Sequence, residues 1–240
     1  MEIALVLAVG LVAGTISGIV GFGSSIMLMP PLVLAFGPRT AVPIMAVAAL
    51  MANLSRILVW WREVDWRAVG VYSATGVPAA ALGARTLLTL PPRLVEGVLA
   101  LFFLAMIPAR RWLIAHRLRL ALWHLAVVGA VIGFLTGIVV STGPINTPFF
   151  LAYGLVKGAF IATEAAGSLA VYVTKALVFH EFGALPPTVL MQGLLVGSTL
   201  MAGSWFSKRF VLELDAGRFR LLMDGMLVVA AATMLWAALT

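Results

Sequence analysis

Runs of apolar residues close to the length of a bilayer crossing follow one another along this chain with only a few polar residues between them, and nothing else restricts its fold so strongly. They occupy roughly residues 3–20, 24–36, 41–61, 67–88, 93–109, 121–140, 144–154, 158–180, 186–206 and 218–238. About twenty residues of helix, at 1.5 Å of rise each, cross the ~30 Å of hydrocarbon in a bilayer. Backbone in lipid has to satisfy its own hydrogen bonds, and over runs of this length a helix does so within the segment. The expectation is an all-α polytopic membrane protein, a single transmembrane domain over residues 1–240 embedded in the lipid bilayer, with no room for a soluble domain.

Composition removes several other classes. A formal charge of +7 on a soluble protein would point to nucleic acid, but in a chain that is 62% hydrophobic the basic residues fall in short loops, where they set topology; no nucleic-acid partner is expected. There is no cysteine, so disulfides and thiolate metal sites are excluded. His116, His124 and His180 are scattered, and no nucleophile stands at helical spacing from a base, so neither a metal, a cofactor nor an enzyme is expected. Met1-Glu2 lacks the basic start of a signal peptide, and the first run is read as a mature helix.

The first run carries Gly10, Gly14 and Gly18, then breaks at a Gly/Ser elbow, Gly21-Phe22-Gly23-Ser24-Ser25. Gly129, Gly133 and Gly137 repeat the ladder at a constant offset of 119, and a second elbow, Ser141-Thr142-Gly143-Pro144, follows. Leu34-Ala35-Phe36-Gly37 is matched by Leu151-Ala152-Tyr153-Gly154, and Glu96-Gly97 by Asp224-Gly225. The chain therefore reads as repeat 1 over 1–109, a basic linker over 110–120 and repeat 2 over 121–240, each repeat a broken or re-entrant helical hairpin plus three transmembrane helices. The second run of each repeat is short for a full crossing, which reads as a re-entrant hairpin or a crossing of two half-helices with its elbow near the midplane against a cavity.

Loop charges choose the orientation of the repeats. With the amino terminus outside and each hairpin returning to its own side, Arg62, Arg67, Arg110, Arg111, Arg117, Arg119, Lys157, Lys208, Arg209, Arg218 and Arg220 are cytoplasmic, against Arg39, Arg85 and Arg93 outside. Parallel repeats would reverse that bias. Inverted repeats with both termini outside follow from the positive-inside tendency.

Each elbow opens a helix whose first-turn amides lack intrahelical partners and whose dipole is positive at that end. Two such ends facing each other make a site for a small anion, with Gly23, Ser24, Ser25, Ser141, Thr142, Gly143 and Asn146 as its residues. The ladder glycines read instead as helix packing. Arg56 and Lys175 are cations inside apolar runs at matching repeat positions. Two readings stand side by side for them: anchors that snorkel to the interface, or cations lining the anion route. Glu164 is the acid furthest from any loop and is the coupling candidate. Asn53 and Gln192 are read as interhelical hydrogen-bond donors, and Trp60, Trp61, Trp66, Trp112 and Trp123 as an interfacial belt.

The pattern from Gly14 to Pro31, with a weaker copy from Gly133 to Pro148 and the basic central linker, resembles the TauE/SafE sulfite exporter family over essentially the whole chain. That resemblance implies a secondary transporter, an exporter of sulfite or an organosulfonate across the bacterial inner membrane, driven by a proton or cation gradient. An anion channel, or a carrier of the same fold for thiosulfate or sulfate, is the alternative. Monomer and homodimer both stay open.

Overall fold

The computed structural model describes residues 2–91, 94, 97, 101, 104–105, 108, 112, 115, 119–139 and 142–207. Ser141, Glu96, Asp224, most of the fifth run and of the linker, and the whole tenth run lie outside the described residues. The elements are α1 (Glu2–Val20), α2 (Ser24–Phe36), α3 (Pro38–Trp60), a single 3-10 turn (Trp61–Glu63), α4 (Trp66–Thr89), α5 (His124–Ile138), α6 (Gly143–Tyr153), α7 (Lys157–Glu181) and α8 (Pro187–Ser207). No strand occurs among the described residues. Three spans, Arg39–Glu63, Gly158–Glu181 and Pro187–Ser207, are long and apolar enough to cross a membrane.

Local chemistry sets the ends of these helices. Between α1 and α2 the chain turns through Gly21 at φ 88° and Gly23 at φ 109°, backbone that a side chain makes costly. Asp65 starts α4: its Oδ1 accepts from the amides of Arg67 at 3.0 Å and Ala68 at 3.1 Å. Its other oxygen accepts from the Tyr153 hydroxyl at 3.3 Å, which ties the end of α6 to the start of α4. Helix starts repeat at the spacing of the glycine ladders: α2 and α6 begin at 24 and 143, α3 and α7 at 38 and 157, both differences being 119.

The two ladders are packing surfaces, and each is covered by a helix from the other half of the chain. Along α1, a methyl group at Gly14 would strike the backbone of Leu200, and one at Gly18 the α-carbon of Ser204, both on α8. Along α5, methyl groups at Gly129, Gly133 and Gly137 would strike the carbonyls of Tyr72, Gly76 and Ala80 on α4. Positions rise together in both pairs, so the helices run parallel at backbone contact. Ser204 Oγ donates to Gly14 O at 3.2 Å, and Thr75 Oγ1 to Ala126 O at 2.5 Å, across these seams.

Two four-helix groups result. One contains α1, α2, α3 and α8, around a core that includes Met29, Leu32, Met45 and Leu200. The other contains α4, α5, α6 and α7, around Tyr72, Leu125, Ile132 and Phe150. They meet chiefly where α3 packs on α7. These two helices are antiparallel: Trp60 and Glu63 lie against Gly158, and Arg56 lies against Glu164 one to two turns along.

A polar cavity between the two helix groups

A polar cavity lies on the seam between the groups. From the first come Gly21, Phe22, Gly23, Ser24 and Ser25 of the elbow, with Ala49, Ala52, Asn53 and Arg56 of α3. From the second come Tyr72 of α4, Thr136 of α5, Thr142 and Gly143 at the start of α6, and Glu164, Ser168, Val171 and Tyr172 of α7. Ser24 is twelve residues from the end of α2 and Glu164 seven from the start of α7, about 18 Å and 10 Å from opposite ends of the bundle at 1.5 Å per residue. The cavity therefore sits at mid-depth, as the short second runs require. Its free space for a water-sized sphere is ≈ 20 Å³, about enough for one water.

Among the described residues, charge in this cavity is carried by one ion pair. Arg56 Nη1 and Glu164 Oε2 face each other at 3.6 Å, both side chains buried, and neither atom has a hydrogen-bond partner. At that separation the contact is electrostatic and not a hydrogen bond. The remaining atoms of both groups are held. Arg56 Nη2 donates to Asn53 Oδ1, and Nε to Ala52 O at 3.4 Å. Glu164 Oε1 accepts from Ser168 Oγ at 2.7 Å and from Asn146 Nδ2 at 3.2 Å. Arg56 thus presents an uncommitted N–H edge to the cavity, and Glu164 is the anion that now faces it.

Both elbow helices start at this cavity. Neither Gly23 nor Thr142, which precede α2 and α6, caps its helix with a side-chain hydrogen bond. The two starts therefore add partial positive charge beside the guanidinium. Ser24 and Ser25 are buried here. Thr142 is committed to a neighbour: the Thr136 hydroxyl donates to Ile132 O at 2.7 Å, so Thr142 is the donor in the 2.5 Å contact between the two hydroxyls.

Of the residues singled out in the sequence, Gly23, Ser24, Ser25, Thr142, Gly143, Arg56 and Glu164 line this one cavity, with Asn146 bonded to Glu164 just behind. Ser141 lies outside the described residues. Lys175 is placed differently. It is 1% exposed, does not reach an interface and is not among the lining residues. Its Nζ donates to Thr136 O and Val139 O, each at 2.8 Å, the carbonyls left open where α5 ends. It fixes the end of the helix that leads into the second elbow. Gln192 is on α8, away from the cavity.

Sequence reasoning passed over Tyr72, Thr136, Ser168 and Tyr172. Ser168 had a signal, since it lies one turn from Glu164 on the same face of α7. Thr136 had a weaker one, a hydroxyl set within the second glycine ladder just before Gly137.

In a comparison with protein families, the sulfite exporter TauE/SafE family matches residues 6–234. No curated protein and no solved structure matches the chain.

Proposed function

As a member of the sulfite exporter TauE/SafE family, a family of membrane transporters and not of enzymes, the chain is a membrane transporter, and we propose that it moves a small sulfur oxyanion, sulfite or an organosulfonate, by alternating access at the cavity between its two helix groups. The observation that carries this reading is the set of positive groups converging there: the free edge of Arg56 Nη1 beside the amino-terminal ends of α2 and α6. Gly23 and Gly143 give an anion close approach to those helix starts, Ser24, Ser25 and Ser141 supply hydroxyls, Thr142 braces the start of α6 against Thr136, and Asn146 steadies Glu164. Lys175 holds the second elbow in position and adds a cation behind it.

A cavity the size of one water is too small for a sulfur oxyanion, so the reading requires the two groups to part and close around the cargo. Two inverted repeats suit that motion. Their support is the recurrence of helix starts at one offset and the exchange of α4 and α8 between the groups, with Arg56 and Lys175 each near the carboxyl end of its helix and so toward opposite faces of the bundle. The loop charges then place both termini on the periplasmic side of the bacterial inner membrane.

Coupling follows from Arg56 and Glu164. A buried guanidinium balances one negative charge at a time. Cargo that takes the Arg56 edge therefore displaces the Glu164 carboxylate, which is neutralised by a proton, and anion and proton move together.

The deciding measurement is flux into proteoliposomes with sulfite, thiosulfate, sulfoacetate and sulfate as separate cargoes, under an imposed proton gradient. Accumulation of one of them above its equilibrium level, lost with Arg56→Gln, is expected. Dissipation without accumulation would make the protein a channel, and no flux of any of the four would end the sulfur-oxyanion reading.

A further inference from the structure

A second cavity, of ≈ 360 Å³, opens at the end of the molecule where α3 and α8 start and α4 and α7 finish. It shares no lining residue with the central one. Apolar side chains, Pro43, Leu87 and Val189 among them, line part of its walls, and Arg39 and Thr40 line it too. Arg85 and Glu181 stand at the same end, 3.9 Å apart, so among the described residues Arg39 is left at this mouth as a cation without an opposing acid. Apolar side chains beside a cation suit an anion that carries a short hydrocarbon part.

What lies beneath this cavity links it to the centre. Phe179, fully buried, contributes to its lining. Helical side chains lean toward the amino-terminal end of their helix, and α7 starts at the far side, so this ring hangs inward over the residue one turn deeper. That residue is Lys175, whose Nζ lies 5.4 Å from the ring centroid. Lys175 in turn holds Thr136, which lines the central cavity. Phe179, Lys175 and Thr136 form an unbroken line of contacts from the outer cavity to the inner one.

We infer that the outer cavity is the vestibule that connects the transport site for a short-chain alkanesulfonate to the outside, with Phe179 as the seal and Lys175 as the cation directly behind it. This rests on the carrier reading and adds to it a route. Arg39 draws the sulfonate head while the carbon chain lies on Leu87 and Pro43. Passage through the vestibule then needs the ring of Phe179 to swing from Lys175, exposing the ammonium to the anion.

Because the chain has no cysteine, single thiols can be introduced without background. Ala184→Cys, at another residue that lines the cavity, and Thr40→Cys are reconstituted in liposomes and treated with 2-sulfonatoethyl methanethiosulfonate, an impermeant reagent that is itself a short sulfonate. Reaction from one side is expected. Ethanesulfonate at about ten times its dissociation constant should slow it roughly tenfold by mass action, and flux should fall after modification. In a Ser168→Cys chain the reagent should reach the thiol from the vestibule side only when Phe179→Ala is also present. Complete modification at both positions with flux unchanged, or a Ser168→Cys thiol that reacts equally with and without Phe179, would overturn the inference. Wild-type liposomes that move no sulfur anion would instead sink the carrier reading before any thiol is touched.

Discussion

Arg56 of α3 and Glu164 of α7 approach to 3.6 Å across the seam between two helix groups, and the two atoms that face each other have no other hydrogen-bond partner. The pair joins the groups electrostatically and leaves both charges available for exchange. Removing one member leaves the other buried alone, at a cost of about 3–5 kcal/mol. Arg56→Gln is therefore expected to lower thermal stability and abolish anion flux. The double variant Arg56→Gln with Glu164→Gln should recover most of the stability and none of the transport. Melting of the purified proteins alongside flux separates the two effects.

Glu164→Gln keeps an oxygen that accepts from Ser168 and removes the charge that competes for Arg56. Anion binding should strengthen in the variant, because the cargo no longer competes with a carboxylate for one cation, and uptake should no longer acidify the liposome interior. Cargo affinity and an entrapped pH-sensitive dye read the two effects.

Lys175→Met leaves Thr136 O and Val139 O without their shared donor, and each unsatisfied buried carbonyl costs about 1–3 kcal/mol. Amide exchange at the end of α5 and the start of α6 should accelerate before that of the other helices. A variant that melts and exchanges like the wild type would remove Lys175 from this role.

Glycines on the seams should respond differently from glycines off them. Gly133→Ala places a methyl against the carbonyl of Gly76 and should force α5 away from α4, destabilising the fold. Gly70, in the same helix as Gly76, has nothing among the described residues within 4 Å of a new methyl, so Gly70→Ala should stabilise by up to about 1 kcal/mol through helix propensity. Comparison of the two melting temperatures tests whether the ladder is a packing device.

Much of this was legible before any coordinates. Apolar runs broken by Gly, Pro and Asp mark the helices because lipid leaves backbone few alternatives, and the elbow at Gly21 to Ser25 announces itself by small polar residues at a helix start. Arg56 stood out as a charge inside an apolar run. The place of Lys175 did not show, because its partners are carbonyls of a helix 36 and 39 residues away, and a carbonyl carries no residue-type signal. Tyr72 and Tyr172 were hidden for a related reason. They read as ordinary apolar-run aromatics until the packing of α4, α5 and α7 brings them to one cavity.

The exchange of helices between the halves fixes an order of events during synthesis. Gly14 and Ser204 are bonded across 190 residues, so α1 enters the bilayer long before α8 exists to cover its glycine face. Until then that face meets lipid tails, and the first elbow has no partner to shield its open amides. α5 suffers no such delay, since α4 is already in place when it emerges. The nascent chain thus completes the second group first, and the interval before α8 is when a chaperone or the insertion machinery has an unpaired helix to hold.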